Sequence, residues 1–169
     1  MHDPAPQVRG LAIECISGIG KLDEVAIVGL SENATYANSS VASGAVQALA
    51  RFAGRSKAAF VALLQARERS PSREVREEAD ILLVLAAGED STFLVECMRH
   101  PDPRLRRCAV RIPGHANRII PEAVPLLIRA LHDDDSQVRI AATNSLILVD
   151  FHAAKREGVK LPPPYSYAE

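Results

Sequence analysis

The sequence predicts an all-α solenoid: about five helix-turn-helix units stacked side by side, the first of them partial. The leading observation is a recurring frame with Val or Leu first, Arg or Ala second and Ala fifth. It reads VRGLA from Val8, VASGA from Val41, VREEA from Val75, LRRCA from Leu105 and VRIAA from Val138. The frame starts are almost evenly spaced, with the step from Val75 to Leu105 the shortest, and a near-constant period of this length marks an array whose units stack only on their neighbours. The second observation is compositional. Ala, Leu, Val and Ile dominate a chain with 4% aromatic residues and no tryptophan, which favours closely packed helices over a sheet. The third is that Asn38, Ser72, Asp102 and Asp135 each stand three positions ahead of a frame, where a helix takes its N-cap.

Taken in order, the first frame opens a helix carrying Leu11, Ile13, Cys15 and Ile16, with no room before it for a partner helix. Such a start in mid-unit leaves an apolar face. Either this is part of a longer solenoid, or the face serves self-association, since terminal units otherwise turn a polar face outward. Between frames lie second helical stretches, LDEVAIVGL, SKAAFVALLQA, EDSTFLVECMR and IPEAVPLLIRAL. Pro125 kinks the last of these unless its helix starts near that residue. Asp102-Pro103 opens the fourth frame helix with a carboxylate cap and a proline that gives up no needed donor, and Pro113-Gly114 is expected to cut the fourth unit's second helix short. In the fifth, Val138, Ala141, Ala142, Ser145 and Leu146 hold the helical core positions. The array is expected over residues 1–153 and a Pro-rich tail over 154–169. Pro162 to Pro164 impose extended backbone there, and the tail either drapes Tyr165 or Tyr167 over the last unit or offers PPPY as a WW-domain ligand.

Composition narrows the function classes. A formal charge of −1 and a pI near 6.5 do not announce nucleic acid or an anionic membrane as partner. Three cysteines are too few, and odd in number, for a secreted disulfide framework. With no basic leader and no uninterrupted apolar run long enough to span a bilayer, the reading is a soluble cytoplasmic protein.

The period and the string D-x-x-V-R-x-x-A, best matched by DSQVRIAA and DPRLRRCA, resemble HEAT repeats, in particular the short units similar to those of phycobilisome lyases. The resemblance covers roughly residues 3 to 152. It implies a right-handed superhelix in which the aspartate and the arginine form a ladder between adjacent units. That assigns Asp102, Arg106, Asp135 and Arg139 to the ladder, with Arg9 and Arg76 as partial matches; the second unit departs with Asn38 and Ala42. The lyase role is implied by the class name alone.

Positions two and six past each frame start are expected to escape the core and line the concave face: Gly10 and Glu14, Ser43 and Gln47, Glu77 and Ile81, Arg107 and Arg111, Ile140 and Asn144. Around the fourth unit, Arg99, Arg104, Arg107, Arg111 and Arg118 gather in a short stretch that contains one acid, Asp102. From these come the expected partner-binding residues Arg104, Arg107, Arg111, Arg118, Glu77 and Asn144. The function expected is a non-catalytic recognition, scaffold or regulatory module for a protein with an acidic surface. A nucleic-acid-binding module and an enzyme accessory subunit stand as alternatives, the former weakened by the lack of aromatic stacking platforms. No cofactor, metal or catalytic residue is expected. Cys97, His100, Cys108 and His115 formally suffice for zinc, but Cys108 and Cys15 fall on core positions of their helices.

Overall fold

The computed structural model describes residues 5–18, 23–116, 120 and 122–160. Its helices are α1 (Pro6–Ser17), α2 (Glu24–Ala34), α3 (Ser39–Ala53), α4 (Lys57–Arg69), α5 (Arg73–Glu89), α6 (Thr92–Cys97), α7 (Pro103–His115), α8 (Ala123–Ala130), α9 (Ser136–Val149) and α10 (Phe151–Arg156), with no strand among the described residues. The odd helices are the frame helices. Each begins two positions before the first residue of its frame, at Pro6, Ser39, Arg73, Pro103 and Ser136.

The capping chemistry explains that regularity. Asn38 Oδ1 accepts from the Val41 N–H at 3.1 Å, Ser72 Oγ from Val75 at 3.3 Å and Asp102 Oδ1 from Arg104 at 2.9 Å. Asp135 Oδ1 accepts from both Gln137 and Val138, at 2.8 and 3.0 Å. Each satisfies first-turn donors that no intrahelical carbonyl can reach. Asp23, Ser56 and Asp150 do the same for α2, α4 and α10. Pro125 lies in the first turn of α8, where its missing N–H costs nothing, so there is no kink to explain. Pro113-Gly114 does not cut a second helix short; it belongs to the frame helix α7, whose last turn contains Pro113 and which continues to His115, while the second helix α8 begins at Ala123.

These elements stack as a two-layered α-solenoid. The odd helices pack in succession, α1 on α3, α3 on α5, α5 on α7 and α7 on α9; α2, α4 and α6 pack in the second layer, and α8 and α10 lie against α9. The core runs between the layers through Val41, Leu49, Phe60, Leu63, Val75, Leu83, Leu94, Leu127 and Leu146, all buried. The alanine that closes the frame is what lets the helices approach. Ala45, Ala79, Ala109 and Ala142 are completely buried.

The joints between odd helices differ. Gly114 of α7 meets α9 so closely that a Cβ there would lie 3.1 Å from Ser145 Cα, and α7 and α9 share a broad contact. The α5–α7 joint is looser. Here the step between frames, from Val75 to Leu105, is the short one, and the intervening helix α6 has only 6 residues. The shortfall is partly filled from α4, whose C-terminal end reaches α7.

At the first unit, Val8, Leu11, Val25 and Val28 remain exposed. Cys15, expected in the core, is exposed too, because no described element stacks on that side of α1; Ile13 is the buried residue there. At the other end, Gly158 takes φ +70°. Its N–H and that of Val159 turn back to the carbonyls of Lys155 and Ala154, an arrangement that closes α10 and needs a residue without Cβ strain. α10 spans residues on both sides of position 153, and the PPPY segment lies outside the described residues.

Candidate functional site: the outward face of the odd helices

The second residue of the frame performs one job in three successive units. Arg76 Nη1 donates to the carbonyls of Ser70 and Pro71, Arg106 Nη1 to those of His100 and Pro101, and Arg139 Nη1 to those of Asp133 and Asp134. In each case the acceptors stand six and five positions earlier, in the turn that leads into the frame helix. The arginine thus ties down carbonyls that the turn leaves without partners. Among the described residues, Arg106 alone of these three also crosses to the next unit. Its Nε and Nη2 hold both oxygens of Asp133 at 2.8 and 2.7 Å, and Asp133 Oδ1 accepts the Asp135 N–H at 2.9 Å. Arg9 makes its own crossing contact, donating to Asn33 Oδ1 at 2.8 Å and lying 4.5 Å over the Tyr36 ring. The carboxylate on Arg106 is therefore Asp133, whereas Asp102 and Asp135 serve as N-caps.

On the outward side, none of the residues at positions two and six of the frames is buried. They are engaged to different degrees. Ser43 and Gln47 of α3 both donate to Glu78 of α5, at 2.7 Å each. Glu77 pairs with Arg73 one turn earlier on the same exposed stretch of α5. Arg104 and Asn144 are exposed, and Arg118 lies outside the described residues. Arg107 does not stand free: its guanidinium bonds Glu68 at the end of α4, which also accepts from the Cys108 thiol at 3.3 Å. Beside it, Arg67 Nε donates to Asp80 at 2.9 Å. Burial opposes the Arg67 charge, and the hydrogen bond to Asp80 together with its negative charge outweighs that, so the Arg67 pKa rises.

Arg111 is the exception. It lines a cleft of about 320 Å³ between α5 and α7, together with Asp80, Ile81, Val84, Leu85 and His115. It is half-buried and has no hydrogen bond or ion pair among the described residues. Burial first, then the positive charge of Arg67, pulls its pKa below the ordinary arginine value. An arginine remains protonated at neutral pH despite such a shift. Around the cleft the odd helices expose large aliphatic side chains: Ile81 is 63% and Leu85 61% accessible on α5, Ile140 54% and Leu148 65% on α9. Leu148 reaches over Gly114, next to His115, so the aliphatic residues flank the α7 cations on both sides.

The soft ligands considered for zinc do not gather. Cys97 is buried, its thiol pushed up to about 11 by desolvation, and Cys108 is likewise raised by burial. His100 Nδ1 accepts the Asp102 N–H. Among the described residues, no group of three or more His, Cys, Asp or Glu is placed to hold a metal ion, and no helix is long and apolar enough to cross a membrane.

Comparison with known families bears on the second half of the chain. The family model of HEAT repeats matches residues 91–155, which contain α6 to α9 and the Arg106–Asp133 contact. Residues 91–155 are thus similar to HEAT repeats. Two solved crystal structures, both of engineered proteins from the Northeast Structural Genomics Consortium, are similar to most of the chain. One has 20% identity and a TM-score of 0.43, covering 93% of this chain and 81% of its own; the other has 22% and 0.41, covering 89% and 78%. No curated protein matches the sequence. HEAT repeats generally mediate protein interaction and scaffolding.

In HEAT terms, α6–α7 and α8–α9 are complete units, and Asp133 lies in the inter-helix turn of the latter. Sequence reasoning missed this acid because three aspartates stand in a row there and the cap position drew attention to the last. It also missed Glu68, far from Arg107 in the chain, for which no local pattern exists. The exposed Leu85 and Leu148 were legible in principle. They sit ten positions past their frame starts, on the same helical ridge as positions two and six.

Proposed function

We propose that the chain is a non-catalytic protein-recognition module that binds its partner on the outward face of the odd helices. The observation that carries this reading is the set of exposed aliphatic residues, Ile81, Leu85, Ile140 and Leu148, flanking the α7 cations. Single exposed aliphatics are ordinary, but a group on the two helices that flank α7, on either side of its charged groups, fits a docking site. A stiff array presents such a face already ordered, which lowers the entropic cost of association, and its charge pattern governs partner choice and encounter rate. Protein is favoured over nucleic acid because Arg106 and Arg107 are already held by Asp133 and Glu68, and acidic Glu77 shares the face.

The test is capture from native extract, with and without nuclease, using wild type and the Ile140→Glu, Leu148→Glu double variant. Both positions are exposed, so the substitutions leave the core intact. The expected result is a stoichiometric protein partner that survives nuclease and is lost with the variant. Capture that disappears with nuclease, or that the variant leaves unchanged, overturns the reading.

A further inference from the structure

The α5–α7 cleft has a charge imbalance that the described residues around it do not resolve. Arg111 and Asp80 line it, and the charges of Arg67, Arg107 and Glu68 lie beside it, so three guanidiniums stand against two carboxylates. Asp80 is taken by Arg67, and Glu68 by Arg107 and the Cys108 thiol. Arg111 is left over. A partly desolvated guanidinium with like charges beside it, and with Asp80 on its cleft already hydrogen-bonded to Arg67, is an unfavourable arrangement in the free chain. Its fork of donors matches a carboxylate in geometry and charge.

The walls add the second half of the recognition. Ile81, Val84 and Leu85 form an aliphatic side along α5, on the same cleft as the Arg111 guanidinium. From this juxtaposition we infer that Arg111 is a carboxylate-binding site, and that its ligand is a segment of a partner protein carrying an Asp or Glu next to an aliphatic side chain. The carboxylate pairs with Arg111 while the aliphatic group covers Ile81 and Leu85. Seating both at once excludes water from the pair and strengthens it. The inference rests on the proposed recognition face and specifies its ligand.

The imbalance separates this role from a structural one. Removing Arg111 relieves an unsatisfied charge, so Arg111→Met, which keeps an unbranched apolar stem, raises the melting temperature or leaves it unchanged while abolishing recognition. A structural arginine would show the opposite.

The probes are fluorescein-labelled dodecapeptides holding one Glu and one Leu, adjacent or up to one helical turn apart, with Glu→Gln and Leu→Ser controls, and a single-stranded dodecanucleotide. Fluorescence anisotropy on the full chain should show at least one Glu/Leu peptide binding tenfold or more tighter than either of its controls. That advantage should vanish in Arg111→Met and in Leu85→Ser. Equal binding of the controls, tighter binding of the oligonucleotide, persistence in Arg111→Met, or a lowered melting temperature of that variant overturns the inference. If extract capture is lost with the Ile140→Glu, Leu148→Glu variant but retained by Arg111→Met, the recognition face stands and only the carboxylate site falls.

Discussion

Truncating Arg106 to alanine is the sharpest test of how the last two units are joined. The side chain makes four hydrogen bonds, two charged ones to Asp133 and two to the His100 and Pro101 carbonyls. Both ends of the ion pair are largely shielded, with side-chain accessibilities of 17% for Arg106 and 12% for Asp133. Breaking a well-buried pair costs about 3–5 kcal/mol because the remaining charge is stranded. Here Asp133 keeps the Asp135 N–H and some water, so the loss should be about 2–4 kcal/mol. At roughly 2–4 °C per kcal/mol for a chain of this size, thermal denaturation should shift down by roughly 5–15 °C. Arg107→Ala also breaks an ion pair, yet Glu68 retains the Cys108 thiol and the nearby Arg67, so that variant should lose no more than half as much. The pH dependence gives an independent check. The hydrogen bond from Arg106 lowers the Asp133 pKa below the ordinary aspartate value, so its contribution is complete above about pH 4 and is lost as pH falls through the folded-state pKa. Arg106→Ala should therefore have a shallower loss of stability below about pH 4 than wild type. Equal shifts for Arg106→Ala and Arg107→Ala, with unchanged acid sensitivity, would refute the assignment of Arg106 as the inter-unit tie.

Gly114→Val should lower the melting temperature, because its side chain meets Ser145 Cα, a backbone atom that yields only if α7 and α9 separate, at about 1–3 kcal/mol. Gly10→Ala, which meets nothing within 4 Å inside α1, should instead stabilise by up to about 1 kcal/mol, and a loss there would show that α1 packs otherwise. Of the three cysteines, only Cys15 should react with a thiol reagent in the native protein, Cys97 and Cys108 joining after denaturation; rapid native reaction in Cys15→Ser would contradict the burial of α6 and α7.

The frame was legible because one short constraint repeats. A capping side chain, a small buried alanine and an arginine over the preceding turn are all local, and locality makes them visible in a single sequence. The helix starts and the caps at Asn38, Ser72, Asp102 and Asp135 follow from that. What periodicity cannot give is the partner across a joint. Arg107 was placed on the concave face, clear of the core, by its position, and its neighbour Glu68 came from a helix well back in the chain, through a gap that only the stacked structure contains. The same limit applies to Asp133, which belongs to the next unit's turn and bonds backward.

One irregularity in the spacing connects the fold to the proposed site. The step from Val75 to Leu105 is shorter than the other three between frame starts, and the missing length comes out of α6, not out of the capped frame helices on either side. A helix of 6 residues spans only about 9 Å, too little to hold α5 and α7 together along their length. The joint is looser, and Arg67 and Glu68 at the end of α4 pair across it with Asp80 of α5 and Arg107 of α7. Arg111, one turn beyond Arg107, then lines the cleft beside Asp80, which is already hydrogen-bonded to Arg67. In a solenoid of uniform units that arginine would lie on a continuous solvated surface. The omission of a few residues from one connecting helix is what converts it into a concave, partly desolvated charge.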